Sequence, residues 1–432
     1  MRVAEAELPP GPSTPRALQT LRFGVDPYGY FNAAYERYGD VFTMRPFNIA
    51  WVVLADPAPV SELFAHGPED LDAGRATRGM RPFLGTRGLF MLEGEEHLER
   101  RRVDLPAFHR QALRLYRAIV EEVAIREIER LPLGEPVALT SHFRSIVLEV
   151  ILRVVYGVEE TGRLRSLGAR LRDLVALSGD KLVLTLFGFL GPDSLRLLPS
   201  VRARLQAVNC EVLAEIALRR ADPGLEQRRD ALSLLLCARD ADGRGLSDSE
   251  VRDELLTMMV AGNETSTAGL AWAAHELARA PELQERLASD PDGLVAAVVK
   301  ETLRLHTPVH LGGLRILRRS LNLGGHALPS GAAVVVAPLV IHRREDIYPD
   351  PLAFRPERFL GPRPPSGAWV PFGGGVRRCI GAALAELELR VVLEQLVRRV
   401  RLRATKQGRE RVTRHGVVLA PRDGARVVLS PR

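Results

Sequence analysis

The stretch "LSDSEVRDELLTMMVAGNETSTAGLAWAAHELARAP" constrains this chain more than any other. Ser247 and Glu250 are spaced as a capping box, and Pro281 marks the stop. Roughly 30 residues lie between them, and at about 1.5 Å per residue such a helix crosses a whole domain. Its middle is apolar nearly all round, so other elements must enclose it. Inside that middle sit Gly262, Asn263, Glu264, Thr265 and Ser266. Glycine lowers helix propensity and hydroxyls compete for carbonyls, so a kink or bulge is expected there. A carboxylate in apolar surroundings is costly without a partner. Either Glu264 and Thr265 form a satisfied polar knot, or they belong to a water-bearing site that relays protons.

The remaining pattern is consistent with a helical body around that rod. From about Glu95 to Ala288 the periodicity is mostly helical, and a further helix runs from about Ala382 to Arg399. Short β-like pieces come early ("VFTMR", "AWVVLAD") and late ("LRIL", "LNLGG", "AAVVVA"), and "GVVLAP" with "ARVVLS" reads as a closing hairpin. The expected class is mainly α with small β-sheets (α+β). One domain over residues 1–432 is expected, led by a stiff Pro-rich segment, 1–16. No glycine-rich loop follows a strand and opens a helix, which argues against Rossmann and phosphate-loop sites. The N-terminus has no signal or transit pattern, and "LVLTLFGFLG" (Leu182 to Gly191) falls short of the roughly 18 apolar residues of a membrane span. It reads as core, with a greasy lip for an apolar ligand as the alternative. A soluble, cytoplasmic protein without a membrane anchor is expected.

Net charge is +7, and of 60 cationic residues all but Lys181, Lys300 and Lys406 are arginine. No run of five or six like charges appears, which argues against a nucleic-acid partner. A basic face for an acidic protein remains compatible. Cys210, Cys237 and Cys379 are too few and too far apart for a disulfide framework or a zinc site.

Cys379 stands in "PFGGGVRRCIG" just before the last long helix. Gly373, Gly374 and Gly375 permit positive φ and close backbone approach. A helix N-terminus with Arg377 and Arg378 nearby would favour a thiolate. Such a thiolate is either a nucleophile, which needs a histidine base, or an axial ligand to haem iron. Upstream, Glu301 and Arg304 in "AVVKETLRLHTP" lie at i,i+3 on a helix ending before Pro308, and Arg358 in "DPLAFRPERF" is available to join them.

In combination these stretches resemble the cytochrome P-450 family, the haem-thiolate monooxygenases. The cysteine signature is filled by Phe372, Gly373, Gly375, Arg377, Cys379 and Gly381. The family's Glu-x-x-Arg matches Glu301 and Arg304, its meander arginine matches Arg358, and its oxygen-side helix motif matches Ala261, Gly262, Glu264 and Thr265. "GEEHLERRRVDLPAFH" is similar to the helix at the haem edge, with His97 where tryptophan is commoner. The resemblance implies haem b ligated by Cys379, with Ala261, Phe372, Gly373 and Gly381 against it. It assigns His97, Arg101, Arg315 and Arg377 to the propionates, with Arg318 as the other register for Arg315. Glu264 and Thr265 would deliver protons, and Glu301, Arg304 and Arg358 would form a structural network. Phe83, Leu84, Phe90, Thr257, Val260, Leu311 and Val418 would face the substrate. The implied reaction uses O2 and two electrons from a separate ferredoxin or flavodoxin-type partner with its reductase. It would hydroxylate or epoxidise an apolar small molecule such as a fatty acid, terpenoid, steroid or polyketide in bacterial secondary metabolism. Arg102, Arg110, Arg114 and Arg378 would dock that partner, and a monomer is expected. A peroxygenase, an isomerase, a non-catalytic haem protein and a cysteine hydrolase are the competing readings.

Overall fold

The structure, a computed structural model, describes residues 8–46, 49–177, 183, 198–240, 242–289 and 293–432. Of the apolar segment 182–191, all but Val183 lies outside these residues. The long helix is one continuous element, Asp248–Leu277, of 30 residues. Both halves of its capping box form: the Ser247 amide donates to Glu250 Oε2 (3.0 Å) and the Glu250 amide to Ser247 Oγ (3.4 Å). Every residue from Ser266 to Ala278 is buried. This central helix packs against the helices Leu139–Val154, Pro199–Arg220, Leu294–Leu305 and Ala382–Arg399, and Arg110–Ile128 packs in turn on the first and last of these. Small residues mark the crossings. A Cβ on Gly269 would sit 3.0 Å from Leu389 of the last of these helices, tight enough to push them apart.

Among the described residues, twelve strands flank this body. They are β1 (Val41–Met44), β2 (Trp51–Leu54), β3 (Leu71–Asp72), β4 (Pro136–Ala138), β5 (Gly312–Leu317), β6 (Leu321–Leu323), β7 (His326–Leu328), β8 (Ala333–Val336), β9 (Val400–Ala404), β10 (Val412–His415), β11 (Val418–Pro421) and β12 (Arg426–Pro431). Five form a sheet in the order β1-β2-β8-β5-β3, parallel only between β2 and β8. β6 and β7 form the expected small hairpin. The expected closing hairpin does not exist. "GVVLAP" (β11) pairs with β10, and "ARVVLS" (β12) pairs with β9 and β4. Two strands close in sequence look like a hairpin locally, but the unpaired edge of β9 and the 136–138 segment compete for β12 and win.

The strand β11 is fastened to the central helix at Trp272. Its indole donates to the Leu419 carbonyl (3.1 Å) and stacks on His306 at 4.1 Å between centroids and 3° between planes. His306 Nε2 meets Glu276 Oε1 at 2.6 Å, and Arg409 donates to the same oxygen at 2.8 Å. This cluster holds the C-terminal strands, and Val418 with them, against the middle of the molecule.

One buried acid stands apart. Glu388 on Ala382–Arg399 accepts a hydrogen bond from Ser266 Oγ (2.8 Å), while its Oε1 has no partner among the described residues. Desolvation pushes its carboxyl up to about 8, only partly opposed by Ser266. The folded chain therefore binds a proton that the unfolded chain releases above about pH 4.3. This group's contribution to stability is full below that pH and is lost as pH rises through about 8. Replacing Glu388 by Gln should narrow the gap in melting temperature between pH 6 and pH 9, with the variant gaining on the parent at pH 9. A gap unchanged by the substitution in thermal unfolding at both pH values would refute this.

Candidate active site

The loop ahead of Cys379 is set by close contacts. Gly375 has φ +62°, and a Cβ on Gly374 or Gly375 would fall 2.2 or 2.6 Å from atoms of Phe64 on the helix Pro57–Ala65. These two glycines seat the loop on Phe64. The Cys379 amide donates to the Phe372 carbonyl at 2.9 Å, closing the turn, and the Phe372 ring packs on Trp369 at 6.1 Å. Cys379 is accessible at its surface, yet enough protein surrounds it that burial raises its thiol above the ordinary value. The amides of Gly381 and Ala382 and the charges of Arg378 and Arg101 oppose this without overcoming it. The expectation of a helix-stabilised free thiolate is therefore corrected: the local field is right in sign, but desolvation outweighs it. A thiol in this state is a poor nucleophile and becomes a thiolate when a cation takes the proton's place.

Beside it four basic side chains converge. His97 and Arg101 come from the helix Gly94–Asp104, Arg315 from β5 and Arg377 from the cysteine loop. His97 is 2% exposed and is held neutral, pushed down to about 3 by burial and then by Arg377, Arg101 and Arg315. Burial also lowers Arg315, to about 10, and lowers Arg101 and Arg377. Arg318 instead faces outward to Glu93 and Asp72, so Arg315 is the arginine of this group. The carboxylate within reach of Arg377 is Glu93 (3.2 Å), itself pushed up to about 7, chiefly by burial. The three partly desolvated guanidinium groups have Glu93 and Asp72 near Arg377 and Asp104 near Arg101, and burial raises Glu93 and Asp104, so the rim suits an added anionic group.

On the central helix Ala261 is exposed although Ser266 to Ala278 are all buried, so it opens onto accessible space. Thr265 Oγ1 bonds back to the Ala261 carbonyl at 2.6 Å. Glu264 does not meet Thr265. It is paired with Arg144 of the helix Leu139–Val154, Nε to Oε1 at 3.0 Å and Nη2 to Oε2 at 3.4 Å. The structure thus separates the acid and the alcohol that the sequence set side by side, since consecutive helical residues project about 100° apart.

Glu301 and Arg304 are both fully buried and bidentate, at 2.7 and 2.8 Å, and Arg358 reaches Glu301 at 3.3 Å. The suggested substrate-side residues do not share one environment. Leu84 and Val418 are buried, Phe90 is exposed, and Phe83, Thr257, Val260 and Leu311 are half-buried. Phe83 lines a cleft with Leu174, Leu205, Val208 and Leu256, with Arg81 beside it. Arg144, Glu93 and Glu388 were not found from sequence. Spacing could have found Glu388, because Leu384, Val391, Val392 and Gln395 put it on the buried face of its helix.

A profile of the cytochrome P-450 family matches residues 9–427. The chain belongs to the cytochrome P-450 family. It is 37% identical to cytochrome P-450 135B1 of Mycobacterium bovis over 97% of this chain and 91% of that protein. It is 35% identical to cytochrome P-450 137 of Mycobacterium tuberculosis, over 98% and 91%. The cyanobacterial CYP120A1 solved with retinoic acid bound superposes with a TM-score of 0.84, at 26% identity, over 98% of this chain and all of that one. The cytochrome P-450 fold, mostly helical with small sheets, is thereby shown, and the chain is a haem-dependent monooxygenase of that family. Such enzymes use O2 and a redox partner. Among the described residues no helix is long and apolar enough to cross a membrane. The residues present fit a haem: one sulfur donor that needs a cation, a cationic rim that needs carboxylates, and an exposed small residue on an apolar helix.

Replacing Glu301 by Ala strands Arg304 as an unpaired buried charge. The loss should be about 3–5 kcal/mol, read as a lower urea midpoint, whereas a change under about 1 kcal/mol would contradict the network's weight.

Proposed function

We propose that this cytochrome P-450 binds haem b through Cys379 and hydroxylates or epoxidises an apolar small molecule with electrons from a ferredoxin or flavodoxin-type protein. The observation that carries this reading is the convergence of an accessible but enclosed cysteine with the basic group His97, Arg101, Arg315 and Arg377. Haem supplies the one-electron and O2 chemistry when bound. Arg101, Arg315 and Arg377 hold its propionates, and neutral His97 donates a hydrogen bond there without adding charge. Phe372 and Trp369 exclude water behind the sulfur. Thr265 Oγ1 releases its bond to the Ala261 carbonyl to hand on a proton, and Glu264, half-buried against Arg144, supplies the next acid from the solvent side.

The cleft at Phe83, Leu174, Leu205, Val208 and Leu256, also lined by Arg81, Asn209, Arg252 and Asp253, supports a substrate with an apolar body and a polar end group. CYP120A1, which binds retinoic acid in its solved form, is compatible with that class. Arg102, Arg110, Arg114 and Arg378 are exposed, as is Leu115, and offer an acidic redox protein both charge and an apolar contact.

The reduced protein with CO should show the shifted Soret band of thiolate ligation, and Cys379→Ser should lose it. A colourless protein after haem-supplemented expression would overturn the reading. Thr265→Ala should release more peroxide per electron consumed, by about 10-fold or more on the scale of a lost proton donor. Unchanged coupling between electrons and product would remove Thr265 from the relay.

A further inference from the structure

Residues 85–93 run from the Phe83 cleft to the helix Gly94–Asp104, and their backbone is held from two sides. On one side stand adjacent carboxylates of the central helix. Asp253 Oδ2 accepts from the amides of Thr86 and Arg87, both at 2.9 Å, and Glu254 Oε1 accepts from the amide of Leu89 at 2.5 Å. Each carboxylate is 1% exposed. Gly85, with φ +76°, brings the loop against them, and a Cβ there would lie 2.2 Å from the Asp253 carboxylate. On the other side stands Arg377, which donates to the carbonyls of Leu89 (3.2 Å) and Leu92 and to Glu93.

Leu89 is therefore gripped at its N–H by the central helix and at its C=O by the arginine two residues before Cys379. Arg100 completes the anchor, reaching Glu254 at 3.2 Å, Glu250 at 2.7 Å and the Arg87 carbonyl at 3.1 Å. Asp104 lies nearby with neither oxygen hydrogen-bonded among the described residues, and burial raises its carboxyl. Ordinary loop anchoring needs only one of these grips. The gripped N–H and C=O lie in the two peptide planes that meet at the Leu89 Cα, so only the φ and ψ of one residue separate the two grips, and together they form a short linkage.

We propose that Glu254 is a positioning residue that, through Leu89, sets the place of Arg377 and so couples the substrate-side loop 85–93 to the cysteine loop. A ligand that displaces the loop would move Arg377 without touching it. The linkage stands on these contacts alone; its consequence for the haem rests on the reading of Arg377 as a propionate ligand.

Amide hydrogen exchange on the full-length, haem-loaded protein tests it. Glu254→Ala should raise exchange about 10-fold or more both in 85–93 and in 374–380, while the strands β10 and β11 keep parental rates. Glu254→Gln keeps an acceptor oxygen and should restore both segments to within about threefold of the parent. Arg377→Ala should loosen 85–93 from the other end. Loosening confined to 85–93 in Glu254→Ala, or a Gln variant as loose as the Ala variant, overturns the proposal. If Glu254→Ala does not fold, parental exchange at 85–93 in Arg377→Ala overturns it instead. Absence of the thiolate-type CO band in every variant would count against the haem reading and leave the exchange result standing.

Discussion

The guanidinium of Arg304 is the interaction on which the rest of the site depends. It is completely buried, so all its N–H groups need partners inside the protein. It finds them in Glu301 and in the carbonyls of His342, Pro351 and Ala353, which belong to an irregular stretch with no ladder of its own. Glu301 in turn accepts from the Arg355 amide and from Arg358. His342 Nε2 accepts from the Val370 amide (3.0 Å), and Trp369 donates to the Lys300 carbonyl (3.2 Å), three residues before the turn that Phe372 closes on Cys379. A salt bridge far from the chemistry thus fixes where the cysteine stands.

Electrostatics gives the site its direction. Burial raises the Cys379 thiol, Glu93 and Glu388, and lowers His97 and the three arginines around it. Each group is pushed toward its neutral form, the usual result of desolvation. What remains charged is the arginine set, which is why an anionic group with two carboxylates suits the rim better than a neutral ligand. The same desolvation argues against a free cysteine nucleophile, since the proton is held and no histidine base contacts the sulfur among the described residues.

Much of the fold was legible because its signals are local. The capping box at Ser247, the rod up to Leu277, the helix Ala382–Arg399 and the early and late strands follow from periodicity and end signals. The partner of β12 was not legible, because strand pairing is decided by which edges the helices leave open. At the site, motif spacing pointed to Cys379, Glu301, Arg304 and Arg358. It could not tell Arg315 from Arg318, which depends on which face of β5 looks inward.

The sequence by itself determined that a long enclosed helix, an acid–arginine pair on one helix face and one cysteine in a glycine turn had to coexist in a mainly helical body. Helix periodicity, capping and the chemistry of arginine and thiol are properties of short segments. Only the tertiary structure decided that Glu264 answers to Arg144 and not to Thr265, that the glycines seat against Phe64, and that one residue, Leu89, stands between Glu254 and Arg377. Those outcomes join residues tens to hundreds of positions apart, and only packing brings them within hydrogen-bond reach.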